Sequence, residues 1–153
     1  MKRIVMSMTL AIVGLIVPGL AFADEENDCS VATLFGEYLF TGRADSPEHK
    51  VGFPRIFAGV YTFDGEGSMS GVATQSFGGE IEAKRVVTAK YTLESDCTGT
   101  ITFPATPPRA PQPQHFAIYI SRDGNDGNFV RVDDGAIATR TIARQARTTN
   151  KHR

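Results

Sequence analysis

Ile81-Glu82-Ala83-Lys84-Arg85-Val86-Val87-Thr88-Ala89-Lys90-Tyr91-Thr92-Leu93 decides the architecture. Ile81, Ala83, Val87, Ala89, Tyr91 and Leu93 alternate with Glu82, Lys84, Val86, Thr88, Lys90 and Thr92, and Arg85 interrupts the apolar set. Successive side chains of a strand point to opposite faces, so this period of two predicts a strand with one buried and one solvated face. On the N-terminal side Gly78-Gly79 supplies a tight turn, and on the C-terminal side Glu94-Ser95-Asp96 does the same. Both are rich in residues that tolerate the backbone angles of hairpins.

Working outward, the same grammar repeats. Candidate strands fall at residues 34–42, 53–63, 68–77, 81–93, 98–103, 115–121, 128–132 and 136–143. Asp64-Gly65-Glu66-Gly67, the run from Arg122 to Gly127, and Asp133-Asp134-Gly135 break the chain between them. Connections this short join antiparallel neighbours. Two are longer, at 43–52 and 104–113, and the second carries Pro104, Pro107, Pro108, Pro111 and Pro113, which have no N–H to give a ladder. In the second strand Phe53, Phe57, Tyr61 and Phe63 share a face with Arg55 and Gly59, and in the first Tyr38 and Phe40 share one. No amphipathic helix appears. Eight sequential strands with one apolar face bury it, and lose their edges, by closing on themselves. The expected fold is all-β, a single eight-stranded antiparallel up-and-down barrel, whose interior is either filled by side chains or holds one small ligand.

The chain outside the barrel says where it works. Lys2 and Arg3 precede a largely apolar stretch from Ile4 to Leu20, and Ala21-Phe22-Ala23 leads into Asp24-Glu25-Glu26. That is the pattern of a secretory signal peptide over residues 1–23, cleaved near Ala23, so the mature protein is expected to be periplasmic or secreted. The barrel domain then occupies 24–144 and a basic tail 145–153. In an oxidising compartment the two cysteines, Cys29 and Cys97, most simply form one disulfide; a thiol nucleophile or ligand is the alternative. With 41% hydrophobic and 22% charged residues the chain can form a core, and a net charge of −1 gives no overall basic field for nucleic acid.

Gly36-Glu37-Tyr38-Leu39-Phe40, the run from Phe57 to Gly67, Gly71, Gly79, Tyr91-Thr92-Leu93 and Asp96-Cys97-Thr98-Gly99-Thr100-Ile101 together resemble small exported bacterial proteins of the allene oxide cyclase barrel-like, calycin-style class. The resemblance spans about residues 29 to 143 and implies a small barrel. Plant allene oxide cyclases of this fold hold a lipophilic chain in one conformation in an apolar barrel, with a buried carboxylate assisting; none of their catalytic residues maps onto a position here.

The residues themselves offer a short set of candidates. Glu37 or its neighbour Tyr38 is a catalytic candidate, and alternation allows one of the two to face inward. Arg55, Arg85, Arg131 and Arg140 are strand cations on apolar faces, fit to anchor a carboxylate or to snorkel from the rim. Arg55, Phe57, Tyr61, Tyr91, His115 and Tyr119 are the expected ligand-binding set, with Arg55 and His115 near a mouth ringed by the two long connections. Asp123-Gly124-Asn125-Asp126-Gly127 lacks the flanks of a calcium loop and reads as a turn. No metal site and no cofactor are expected, and neither nucleic acid nor stable membrane insertion. Three functions remain open: binding of a small apolar or amphipathic molecule, a cofactor-independent isomerase or cyclase acting on a lipophilic substrate, or a structural envelope protein with a filled barrel.

Overall fold

Eight strands follow one another around a closed barrel in sequence order, each antiparallel to the next, and the last pairs with the first. They are β1 (Phe35–Asp45), β2 (Arg55–Asp64), β3 (Ser68–Phe77), β4 (Glu80–Leu93), β5 (Thr98–Phe103), β6 (Gln114–Ile120), β7 (Asp126–Arg131) and β8 (Ile137–Arg144). A single 3-10 turn, Val31–Thr33, precedes β1. The structure, a computed structural model, describes residues 28–45, 54–107 and 110–146. The expected signal peptide, residues 46–53 of the first long connection, 108–109 of the second and 147–153 of the tail lie outside them. The up-and-down barrel and the Cys29–Cys97 disulfide expected from sequence are both present.

Strand ends shift by a few residues where pairing or side chains extend a ladder. β1 runs on to Asp45 because Ala44 still pairs Arg55 on one side and Ala138 on the other. β7 starts at Asp126 because Ser121 grips it: Ser121 N donates to Asp126 O at 2.9 Å and Asp126 N donates to Ser121 Oγ at 3.0 Å. Within that hairpin Asp123 accepts from Asn125 N at 3.1 Å, so the run is a side-chain-stabilised turn.

Alternation holds along β4 until Lys84, whose φ of 54° places it in the left-handed region. The register to β3 slips between Ala73 and Gln75, as a β-bulge requires. Beyond the bulge every side chain changes face. Arg85 therefore belongs to the inward row with Val87, Ala89, Tyr91 and Leu93, whereas Ile81 is 73% exposed and Gln75 Nε2 donates to Glu82. The single apolar face expected to run from Ile81 to Leu93, with Arg85 as its interruption, is corrected accordingly: Arg85 faces inward and Ile81 and Ala83 face outward.

The interior has two unlike halves. At the end holding the even-numbered hairpins and the start of β1, aromatic rings fill the lumen. Phe63 stands edge-on to Tyr38 at 5.2 Å and to Tyr91 at 5.3 Å, and Leu34, Ile118 and Phe129 are fully buried around them. Burying each such side chain contributes ~1.5–3 kcal/mol. The segment ahead of β1 corks this end. Tyr91 Oη donates to Val31 O at 2.9 Å, Cys29 N donates to Ser95 O at 3.1 Å, and the disulfide ties Cys29 to Cys97. Arg144 closes the seam, its guanidinium donating to Phe35 O at 2.6 Å and to Thr33 O and Gly124 O at 3.0 Å each.

Glycines make the barrel narrow enough to fill. Phe40 opposes Gly59, Phe57 opposes Gly42 and Tyr61 opposes Gly71 across β1, β2 and β3. In each pair the ring occupies the space a Cβ would take, at 2.9 Å, 2.2 Å and 2.9 Å respectively from where that atom would sit. Phe40 then stacks on Tyr61, with centroids 3.7 Å apart and an angle of 6°.

Candidate functional site

An up-and-down meander places its odd-numbered connections together, so the proline-rich connection shares one rim with the β3–β4 and β7–β8 turns and with the end of β1 and the start of β2. There the packed aromatics give way to a cavity of about 180 Å³. Ala73, Val87 and Phe77 form part of its wall, and the proline-rich connection leans over it with Pro104, Ala110 and Pro111. That connection is folded back on itself by paired bonds between Thr106 and Ala110, at 2.7 and 3.1 Å. Arg85 fastens it to the wall, donating from Nη2 to Thr106 Oγ1 at 2.7 Å.

Arg140 forms the floor. On β8 it is in phase with the buried Ala138 and Ile142, so strand geometry forces it inward. Its Cζ lies 3.9 Å from the Phe103 ring centroid, 4.5 Å from Phe116 and 5.0 Å from Phe57. Nη1 donates to Tyr61 Oη at 2.7 Å, and Nε is sealed from solvent with no partner. No carboxylate among the described residues lies within ion-pair distance of it. Burial lowers its pKa and the nearby charges of Arg131 and Arg85 lower it further, while Tyr61 opposes them; burial raises the Tyr61 pKa. Four arginines, Arg55, Arg85, Arg131 and Arg140, line the cavity against one carboxylate, Asp134 at the rim. Arg131 is paired with Asp133, whereas Arg85 and Arg140 have no carboxylate within ion-pair distance among the described residues.

Of the residues read from sequence, Arg55, Phe57 and Tyr61 line the cavity, and the Arg55 guanidinium lies 5.7 Å from the Phe77 centroid. The strand cations Arg85, Arg131 and Arg140 line it too, whereas the remaining candidates lie elsewhere. Tyr38 and Tyr91 face inward at the corked end, where Tyr38 Oη donates to Gly124 O at 2.6 Å. Glu37 is exposed on the outer face. Tyr119 is 52% exposed because Phe116, Ile118 and Ile120 take the inward phase of β6. His115 shares that outer phase. Arg140 dominates the floor although the expected ligand-binding set omitted it, and its phase with Ala138 and Ile142 is the signal in the sequence that sets it apart from the other strand cations.

His115 nevertheless belongs to a chain of bonds that reaches the cavity wall. Asp133 accepts from Arg131 Nε at 2.8 Å and from the His115 backbone N at 2.9 Å, and contacts His115 Nδ1 at 2.7 Å. Burial works to raise the Asp133 pKa, but the bonds from Arg131 and His115 and the Arg131 charge outweigh it and hold the pKa at about 2. A folded-state pKa below the unfolded value means stability that is present above pH ~4 and disappears as pH falls towards 2. Allowing for solvent screening, Asp133→Asn is expected to remove ~1 kcal/mol at pH 7. Denaturant titrations should show that difference shrinking as the pH approaches 2; a difference independent of pH counts against the bond network.

Compared with known proteins, the chain matches no family model, no curated protein and no solved structure.

Proposed function

We propose that this protein is an exported barrel that binds one small amphipathic molecule in the cavity at its open end. The observation that carries the reading is the division of the lumen. Packed rings fill the corked half, whereas the other half holds a cavity whose lining mixes aromatic and aliphatic side chains with arginines and glutamines, apolar body and polar handles together as a site for an amphipathic ligand needs. A filled structural barrel has no use for that division. The class resemblance in the sequence, to small barrels of the allene oxide cyclase type, agrees with the reading, as does a signal-like N-terminus followed by two cysteines that meet in a bridge.

A single observation favours a second reading, a cofactor-independent isomerase or cyclase using the same cavity. Tyr61 Oη accepts from Arg140 and so keeps its own proton to offer a carbonyl oxygen beside the floor. Turnover of a bound ligand, against simple retention, separates the two.

The test is uptake of a one-ring apolar probe such as toluene, followed by NMR shifts of the cavity-lining residues. Binding is expected in the native protein and is expected to be lost in Ala73→Phe, which fills the wall. Arg55→Ala, which removes a cation from the cavity wall, is expected to weaken an anionic probe by ~1 kcal/mol through charge, whereas His115→Ala on the outer face leaves it unchanged. No uptake by the native protein, or equal uptake by Ala73→Phe, overturns the reading.

A further inference from the structure

A cavity of about 180 Å³ is slightly larger than the ~150 Å³ cavity that takes up benzene, and well under the ~300–1,000 Å³ of pockets for drug-sized ligands. A long lipid chain exceeds it. Charged groups stand at the rim, where Arg55 and Asp134 are, but the floor also carries one, because Arg140 lies there among aromatic rings without a carboxylate partner among the described residues.

We propose that the ligand is a small carboxylate on a flat apolar body of about one ring, bound head-first, with its carboxylate on Arg140 and its ring between the floor and the proline-rich connection. This rests on the ligand-binding reading above and adds the charge, the size and the orientation. Three features carry it. Arg140 is a half-buried cation set among aromatic rings without a carboxylate partner among the described residues, a condition that rings and one hydroxyl offset only in part. Of its three nitrogens, Nη1 is engaged by Tyr61 and Nε is sealed, which leaves Nη2 as the one a ligand in the cavity can meet. Arg85 lines the same cavity with no carboxylate within ion-pair distance among the described residues, whereas Arg131 is paired with Asp133, so Arg85 and Arg140 leave positive charge in the cavity that one anion relieves.

The geometry also selects among anions. At the floor the guanidinium offers one nitrogen between aromatic faces, enough for one oxygen of a carboxylate, whereas the several oxygens of a phosphate would have to draw on Arg55, Arg85 or Arg131 higher in the cavity as well. A planar carboxylate fits edge-on beside Phe57, Phe103 and Phe116 with one oxygen on Nη2. Above it the wall of Ala73, Val87, Ala110 and Pro111 is apolar and matches a ring.

The experiment compares benzoate, benzamide, phenyl phosphate and toluene on the native protein by calorimetry, and benzoate and toluene on Arg140→Met, which keeps the side-chain volume and removes the charge. Benzoate is expected to bind at least tenfold more tightly than benzamide or phenyl phosphate. Arg140→Met is expected to lose that advantage while still taking up toluene. Should Arg140→Met not fold, the native comparison of benzoate with benzamide decides alone. Equal binding of benzoate and benzamide, or tighter binding of phenyl phosphate, overturns the carboxylate while leaving ligand binding standing. Uptake of neither benzoate nor toluene overturns both.

Discussion

Gly59→Ala is expected to destabilise the barrel by ~3 kcal/mol, roughly a 10 °C fall in the midpoint of thermal unfolding for a domain of this size. A Cβ at this position would lie 2.0 Å from Val72 O and 2.9 Å from both Ala73 Cα and Phe40 Cε1. Two of those atoms are backbone of the neighbouring strand, which cannot move without opening the β2–β3 ladder. The third belongs to the ring that stacks on Tyr61, so the disturbance reaches the cavity floor. Gly78→Ala is the contrasting case. Its Cβ meets nothing within 4 Å, and the penalty there is the φ of +54° alone, ~1 kcal/mol. If the two variants melt together, the glycine–aromatic pairs do not set the width of the barrel.

Removing the disulfide with Cys29→Ser and Cys97→Ser together is expected to lower the unfolding free energy by ~4 kcal/mol, the chain-entropy value for a closed loop of 68 residues. Both sulfurs are buried, and the bridge anchors the segment that corks the barrel, so the loss is felt at that end first. The Tyr91 bonds to Val31 and Leu34 then hold the cork without covalent help. Denaturant midpoints with and without reductant measure the loss. Binding of a ring-sized probe at the opposite end is expected to survive it wherever the variant remains folded; a parallel loss of affinity under those conditions means that the two halves of the lumen are coupled.

Turn chemistry made the architecture readable. Each hairpin carries Gly, Asp or Asn where a tight reversal needs them, and two strands per hairpin in strict succession leave closure as the way to satisfy both edges. The counting that placed both long connections on one rim used nothing but parity. What sequence could not supply was depth. Period-two alternation says that Tyr38, Tyr61 and Tyr91 share the interior, but not that the first and third sit in the packed half while the second borders the cavity. The bulge at Lys84 was invisible for a different reason. Lysine carries no signature of a positive φ, and the pattern on either side of it still alternates, only in the opposite phase. Tyr119 and His115 were misplaced by chemistry overriding phase: an aromatic and an imidazole look like site residues, yet Phe116, Ile118 and Ile120 had already claimed the inside of β6.

The Arg144 seam bears on the order in which the protein is made. β1 is the first strand to be synthesised, and one of its two neighbours, β8, is the last. Throughout translation β1 therefore presents an unpaired edge, and the carbonyls of Thr33, Phe35 and Gly124 wait for a guanidinium not yet made. A chain stalled just short of residue 137 is an open sheet with two free edges. One that has gained the 8 residues of β8 is a closed vessel, so the passage from aggregation-prone intermediate to finished barrel hangs on the emergence of one strand.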